Sequence, residues 1–303
     1  MPDVHARLPP QGPLGIQRVG LRGIRKPIHV LRPGREVVLA AEFSAAVDLP
    51  PDRKGSDLSR NAEAIAEITE RTALQPVRSL EEACATIAED LLRRHTSASE
   101  ALVVASAEYF VRQGIGPGRE SYEDFLLVAE AVARRLGTDA VSVRRSIGLE
   151  AVGMTACPCA MESCRELLEG ELGGPERSVL ETIPGITHNQ RSRTRLVFEI
   201  SGPVEVEVDQ MLTAITEAHS APTFAILKRG DEARLVLRAH RSPRFAEDVV
   251  RELLAGVPAR FPQLPDDAVV RAETVSEESI HKYDVHASHW VTMADLRRLV
   301  TSP

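Results

Sequence analysis

The feature that most constrains this chain is a pair of long alternating stretches, LGIQRVGLRGIRKPIHV (residues 14–30) and EVVLAAEFSAAVDLP (36–50), set around the turn signal RPGRE (32–36). Alternation with a period of two turns one face of each stretch toward a core and the other toward solvent. A Pro-Gly turn between two such stretches joins them as an antiparallel hairpin. The chain is therefore committed from its start to an antiparallel sheet.

Helical patterns follow the hairpin and the polar loop PDRKGSDLSRN. NAEAIAEITERTA (61–73) offers Asn61 as its cap, and SLEEACATIAEDLLRRH (79–95) opens with Ser79 and Glu82 as a capping box. In the second, Ala83, Ile87, Leu91 and Leu92 fall on one face. EALVVASAEYFVRQ (100–113) reads as a strand, with a helix as the alternative, and SYEDFLLVAEAVARRLG (121–137) reads as a helix. AVSVRRSIGLEAVGMT (140–155) then leads as a strand into a cluster of cysteines.

The second half repeats this outline. RTRLVFEISGPVEVEV (193–208) is strand-rich, VDQMLTAITEAHS (208–220) is a helix capped by Asp209, and EARLVLRAH (232–240) alternates as a strand. SPRFAEDVVRELLAGV (242–257) predicts a helix with Ser242 as cap and Pro243 in its first position, and DDAVVRAETV (266–275) a closing strand. Paired strands, helices and further strands in the same order twice predict an α+β duplication with domains at 1–150 and 151–303.

A chain of 303 residues that is 43% hydrophobic can bury such a core. It has no apolar run of about 18 residues, and its polar, Pro-rich start lacks the zones of a secretory signal; no membrane partner and a cytoplasmic location are expected. With 44 acidic and 37 basic residues the net charge of −7 argues against nucleic acid as a partner. Four cysteines in this length are too few for the disulfide framework of a small secreted domain. No glycine-rich phosphate loop is present, so any nucleotide chemistry must use side-chain cations.

Five constellations could carry chemistry. In TACPCAMESC (155–164), Cys157 and Cys159 flank Pro158; on an extended segment both thiols point one way, which suits a metal, while a buried inert cluster is the plainer reading. ITHNQRSRTR (186–195) brings His188 together with Asn189, Gln190 and Arg191 at a loop-to-strand junction. LKRGDEARL (227–235) carries Lys228, Arg229, Asp231 and Glu232. In SEESIHKYDVHASH (276–289), Glu278 and His281 are three apart, as on one face of a helical turn, where they could share a metal. RFAEDVVREL carries Glu247 and Asp248, first-turn carboxylates that suit the helix dipole; a carboxylate there could also take two parallel hydrogen bonds from a guanine or pterin ring.

In order along the chain, IQRVGLRGIRKPI, KGSDLSR (54–60), TACPCA, IPGITHNQRS, LKRGDE, RSPRFAEDVVREL and ESIHKYDVHA resemble the type IB GTP cyclohydrolases, including their archaeal branch. The resemblance implies tandem tunnelling-fold domains, antiparallel sheets with helices on one face, assembled as a homotetramer. It implies a hydrolase acting on a cyclic amidine C–N bond: the imidazole ring of GTP is opened, formate is released, and a 7,8-dihydroneopterin phosphate results. It also implies one divalent metal per active site, Fe(II), Mn(II) or Zn(II), with ligands falling on Cys157, His188, Glu232 and, in alternative arrangements, Glu278 and His281. Glu247 becomes the purine anchor and His188 or a neighbouring histidine the proton carrier. The triphosphate would meet Arg60, Arg191, Lys228, Arg229 and Lys282, with His188 also within the motif set.

The chain departs from that pattern in three places. Asp57 stands where KGSDLSR resembles a motif with histidine, Ala160 replaces a common serine, and the segment 165–187 is long, as in the archaeal enzymes that stop at a 2′,3′-cyclic phosphate. The product, triphosphate or cyclic phosphate, stays open. Two rival readings are a diverged tunnelling-fold enzyme acting on another purine or pterin, and a non-catalytic metal-binding protein.

Overall fold

The structure is a computed structural model that describes residues 10–116, 118–137, 140–172 and 174–301; the first nine residues of the Pro-rich start lie outside them. In chain order the elements are β1 (Ile16–Arg32), β2 (Arg35–Leu49), α1 (Leu58–Thr72), α2 (Leu80–Arg94), β3 (Glu100–Gly116), β4 (Arg119–Leu136) and β5 (Ala140–Ala156). Then follow α3 (Pro158–Glu171), α4 (Gly174–Leu180), β6 (Asn189–Ser201), α5 (Val208–Ala218), β7 (Ala221–Pro222), α6 (Arg229–Arg241), α7 (Ala246–Arg260), β8 (Val269–Glu277), β9 (Val285–Thr292) and α8 (Met293–Thr301). The class is α+β, an antiparallel sheet with helices on one face. No helix among the described residues is long and apolar enough to cross a membrane.

Two compact units emerge. The first comprises Met1–Tyr109, Leu126–Gly148 and Glu199–Glu205; the second comprises Phe110–Phe125, Leu149–Phe198 and Val206–Pro303. Strands β3 to β6 each have residues in both.

In the first unit the strand order is β1-β2-β3-β4-β5. The predicted hairpin is present: β1 pairs antiparallel with β2 from Ile16↔Leu49 to Arg32↔Arg35. Gly34 turns the chain with φ of 72°, a left-handed conformation that side chains disfavour. Leu39, Ala41, Phe43, Ala45 and Val47 alternate into the core, where Ile65 and Ile68 of α1 and Ile87 and Leu91 of α2 cover them. Fully burying each Val, Leu, Ile or Phe side chain among these contributes about 1.5–3 kcal/mol. Ser79 caps α2 as predicted, its hydroxyl accepting from Glu82 N at 3.2 Å.

In the second unit the order is β5-β6-β8-β9, with β7 on β5. Helices α5 and α7 pack on each other, and Val249, Leu253 and Val257 of α7 are buried.

Several local expectations are corrected. SYEDFLLVAEAVARRLG is strand, not helix: Glu123 is buried, Leu127, Ala129, Ala131 and Ala133 are buried at every second position, and sheet neighbours override the helix preference of alanine. EARLVLRAH is helix, not strand. It lies in α6, where Asp231 accepts from the Lys228 N–H at the amino end and only Asp231 and Ala239 are buried. Helix α1 starts after Asp57, and Asn61 is a buried residue inside it. Helix α7 starts after Phe245 rather than after Ser242, and α5 after Glu207, which leaves Asp209 in its first turn. The strand at 266–275 does not close the fold, since β9 and α8 follow.

Candidate functional site

The cysteine segment is not extended through Cys159. Cys157 is the cap of α3, Pro158 takes the first helical position, and the Cys157 Sγ accepts from Ala160 N at 3.4 Å. Cys159 is therefore an exposed residue of the first helical turn. No disulfide forms among the four cysteines; Cys84 is buried in the first unit, and burial pushes its thiol pKa up.

Three hydrogen bonds fix the place of Cys157. Its N–H donates to the His188 carbonyl at 3.2 Å, its carbonyl accepts from Thr187 Oγ1 at 2.6 Å, and the preceding carbonyl, of Ala156, accepts from Arg244 N at 3.0 Å. The loop ending in His188 and the segment that leads into α7, with Glu247 near its start, are thereby brought to the cysteine. Sequence distance is thus erased by the sheet ends and helix starts of the second unit.

His188 is nearly buried, and its Nδ1 lies 2.8 Å from Gln190 Oε1, 3.3 Å from Ser279 Oγ and 3.9 Å from Glu278 Oε2. An amide oxygen only accepts, so this contact suits the tautomer with its proton on Nδ1, which leaves Nε2 as the nitrogen open to a ligand. Glu278 lies in the loop between β8 and β9, not on a helical turn, and its Oε1 accepts from Ser276 Oγ at 3.0 Å. His281 does not join it: it is exposed and stacks on Tyr283 with ring centroids 5.0 Å apart.

The other candidates are surface groups. Glu247, Lys228, Arg229, Glu232 and Lys282 are exposed, and Arg191 faces Glu277 at 3.7 Å. Arg60, in the first unit, pairs with Asp57 at 3.0 Å and donates to the Arg94 carbonyl at 2.8 Å. Among the described residues no group of three or more His, Cys, Asp and Glu side chains is gathered to hold a metal ion. Cys157, His188 and Glu278 nevertheless match a borderline-soft divalent ion in kind: a thiol at a helix start, an imidazole whose far nitrogen is fixed by a hydrogen bond, and a carboxylate.

Two further features of the second unit escape a reading of the sequence. Asp231, beside the candidate Glu232, is the buried member of the pair. It receives Arg119 and Arg234 as ion-pair partners together with the Lys228 N–H, and these hold its carboxyl down to about 2. Arg119 comes from the start of β4, two residues ahead of the stretch read as a helix. The second feature is a layer of buried hydroxyls on the sheet, Thr155, Ser192, Thr194, Thr274 and Ser276, with His219 against it. Thr194 Oγ1 meets His219 Nε2 at 2.8 Å and Thr274 Oγ1 at 2.7 Å. Their signal in the sequence is parity: each hydroxyl sits on the alternate position that its strand, β5, β6 or β8, buries.

The fold is shared with uricases. A uricase from Bacillus fastidious superposes with a TM-score of 0.51 at 12% identity, over 94% of this chain and 96% of that one. A thermostable urate oxidase from Bacillus sp. TB-90 gives 0.51 at 10% identity, over 92% and 99%. Sequence relatives are nearer. GTP cyclohydrolase MptA of Methanococcoides burtonii is 38% identical over 304 residues, covering 98% of this chain and 96% of that protein. GTP cyclohydrolase MptA 2 of Methanocella arvoryzae is 38% identical over 305 residues, covering 98% of each. The family described as type I GTP cyclohydrolase folE2 matches residues 1–287. With that match over nearly the whole length, the chain belongs to the type I GTP cyclohydrolase folE2 family.

Proposed function

We propose that the chain is a metal-dependent GTP cyclohydrolase of the type IB, tunnelling-fold kind, opening the imidazole ring of GTP with release of formate to leave a 7,8-dihydroneopterin phosphate. That it is a hydrolase acting on GTP follows from its family. The observation that carries the finer reading is the junction at Cys157, where hydrogen bonds bring the His188 loop and the approach to Glu247 against one cysteine.

The order of elements supports a tandem architecture divided near residue 150. β1, β2, α1, α2, β3, β4 and then β5, β6, α5, α7, β8, β9 both run strand pair, helix pair, strand pair, with the other elements as insertions. A homotetramer with active sites between subunits is part of the same proposal.

Cys157, His188 and Glu278, with Glu232 and His281 as further donors, would hold Fe(II), Mn(II) or Zn(II). Bound there, such an ion supplies Lewis acidity, by which water becomes a nucleophile near neutral pH. Glu247, exposed at the second position of α7, accepts the paired N–H groups of the guanine edge. Gln190 holds the Nδ1 proton of His188 in place, so that Nε2 keeps its lone pair. Arg60, Arg191, Lys228, Arg229 and Lys282 are the cations for the triphosphate. Arg presents a planar fork to two oxygens, and the lysines act as point charges.

Anaerobic incubation of protein loaded with each of the three metals with GTP is expected to give formate and a fluorescent pterin after oxidation. No formate with any of them would sink the reading. Mass analysis of the product separates triphosphate from cyclic phosphate. Cys157→Ala is expected to abolish metal binding and turnover, and Cys164→Ala to leave both intact.

A further inference from the structure

Strands β5, β6 and β8 carry Thr155, Ser192 and Ser276 on one buried face, at 1%, 0% and 2% exposure. Hydroxyls in such a place cost free energy unless they are paired, and an alanine or valine would suit the core better. All three are paired in a line. Ser192 Oγ lies 2.9 Å from Thr155 Oγ1, Thr155 Oγ1 lies 3.4 Å from Ser276 Oγ, and Ser276 Oγ donates to Glu278 Oε1 at 3.0 Å. Glu278 continues the buried parity of β8 two residues past Ser276, and its side chain is only 9% exposed.

The carboxylate end sets the direction of the whole line. A carboxylate only accepts, so Ser276 must spend its proton on Glu278, and its oxygen is then open to the Thr155 hydroxyl, which in turn accepts from Ser192. Donors aligned this way polarise one another toward the charge. We propose that Ser276, backed by Thr155 and Ser192, is the positioning residue for Glu278, holding Oε1 so that Oε2 stays on the His188 side. The inference rests on the reading of Glu278 as a metal ligand, and it assigns the hydroxyl line as the support that fixes that ligand.

The test uses the full chain and Mn(II) alone, with free Mn(II) followed by its electron paramagnetic resonance signal. Ser276→Ala is expected to weaken Mn(II) binding about ten- to hundredfold, Thr155→Val to weaken it less, and Ser276→Thr to restore it. Guanine nucleotide binding in the absence of metal should be unchanged in all three. Glu278→Gln serves as the control for the underlying reading: if it binds Mn(II) like wild type, Glu278 is no ligand and that reading fails. If Glu278→Gln weakens binding while Ser276→Ala does not, the positioning role is overturned. A crystal structure of Ser276→Ala decides independently of metal, since a Glu278 carboxylate that keeps its place without the hydroxyl also overturns the proposal.

Discussion

Glu81 and Glu247 occupy the same second position of two helices that are both fifteen residues long, α2 and α7, one in each half of the chain. The match extends around them. Arg78 N donates to Glu82 Oε2 at 2.7 Å, and Phe245 N donates to Asp248 Oδ2 at 3.0 Å, so both helices brace their starts with the third-position carboxylate. The environments are opposite: Glu247 is exposed, whereas Glu81 is 5% exposed with Oε2 unpartnered. One of the two positions is therefore open to a ligand, and the other is closed into the core of its unit.

Burial raises the Glu81 pKa above its ordinary value, against the weaker pull of its own N–H, Ser79, Arg32 and Arg145. A carboxyl that holds its proton more firmly when folded loses stability as pH rises through its folded pKa. Glu81→Gln is expected to be more stable than wild type at pH 7.5, with the gap closing below about pH 4.5. Urea midpoints at both pH values check this. Glu247→Gln should leave those midpoints alone and raise KM for GTP.

His219 gives the reverse case. Burial, with Arg244 adding to it, lowers its pKa to about 4 from 6.5, so the folded chain keeps the ring neutral. Between those values the unfolded chain binds a proton that the folded chain refuses. Stability is full above pH 6.5 and falls as pH drops toward 4, by on the order of 3 kcal/mol in all. His219→Gln removes this slope, measured as urea midpoints at pH 5 and 7.5; a slope equal to wild type would count against it. The ring also fills the space over Gly153, where a Cβ would lie 2.2 Å from His219 Nδ1, so Gly153→Ala should destabilise by about 1–3 kcal/mol.

What the sequence reveals follows from which signals are local. The β1–β2 hairpin is legible because alternation and the Pro33–Gly34 turn act within neighbouring residues, and the Ser79 cap for the same reason. The regions 121–137 and 232–240 exchange helix for strand because alanine, leucine and valine satisfy either period, and the deciding partners lie elsewhere in the fold. Cys157 and His188 stand out as residue types, yet their junction is made by backbone hydrogen bonds that no side chain announces. The Ser276 support for Glu278 is legible only once the buried parity of β8 is known.

Asp231 and Glu232 are adjacent carboxylates with separable roles. Asp231 is tied to Arg119, Arg234 and the Lys228 N–H, and its low pKa makes its contribution to stability full above its ordinary 3.8 and lost as pH falls toward 2. Asp231→Asn is expected to lower the melting temperature at pH 7 and to loosen the start of α6. Glu232→Gln, at an exposed position, should leave the melting temperature unchanged and reduce metal affinity if it is a ligand. Thermal scans with and without Mn(II) separate the two, and equal melting losses in both variants would refute the division.

Asp57 is where this chain departs from the histidine that its KGSDLSR motif resembles, and the structure shows what the substitution does locally. Its carboxylate pairs with Arg60 at 3.0 Å, beside a cavity of about 100 Å³ lined by both residues and by His95. His95 has its pKa lowered by burial and then by the charge of Arg60, and it is held by Asn61 at 2.9 Å. A carboxylate that engages one nitrogen of the Arg60 fork competes with any phosphate for it. The pair is partly exposed and worth about 0.2–1 kcal/mol, so the competition is modest. Asp57→His is expected to release the guanidinium and lower KM for GTP by up to about fivefold, with kcat little changed. Arg60→Ala should raise KM and cancel the gain in the double variant. An unchanged KM in Asp57→His, together with a silent Arg60→Ala, would remove Arg60 from the set of phosphate cations.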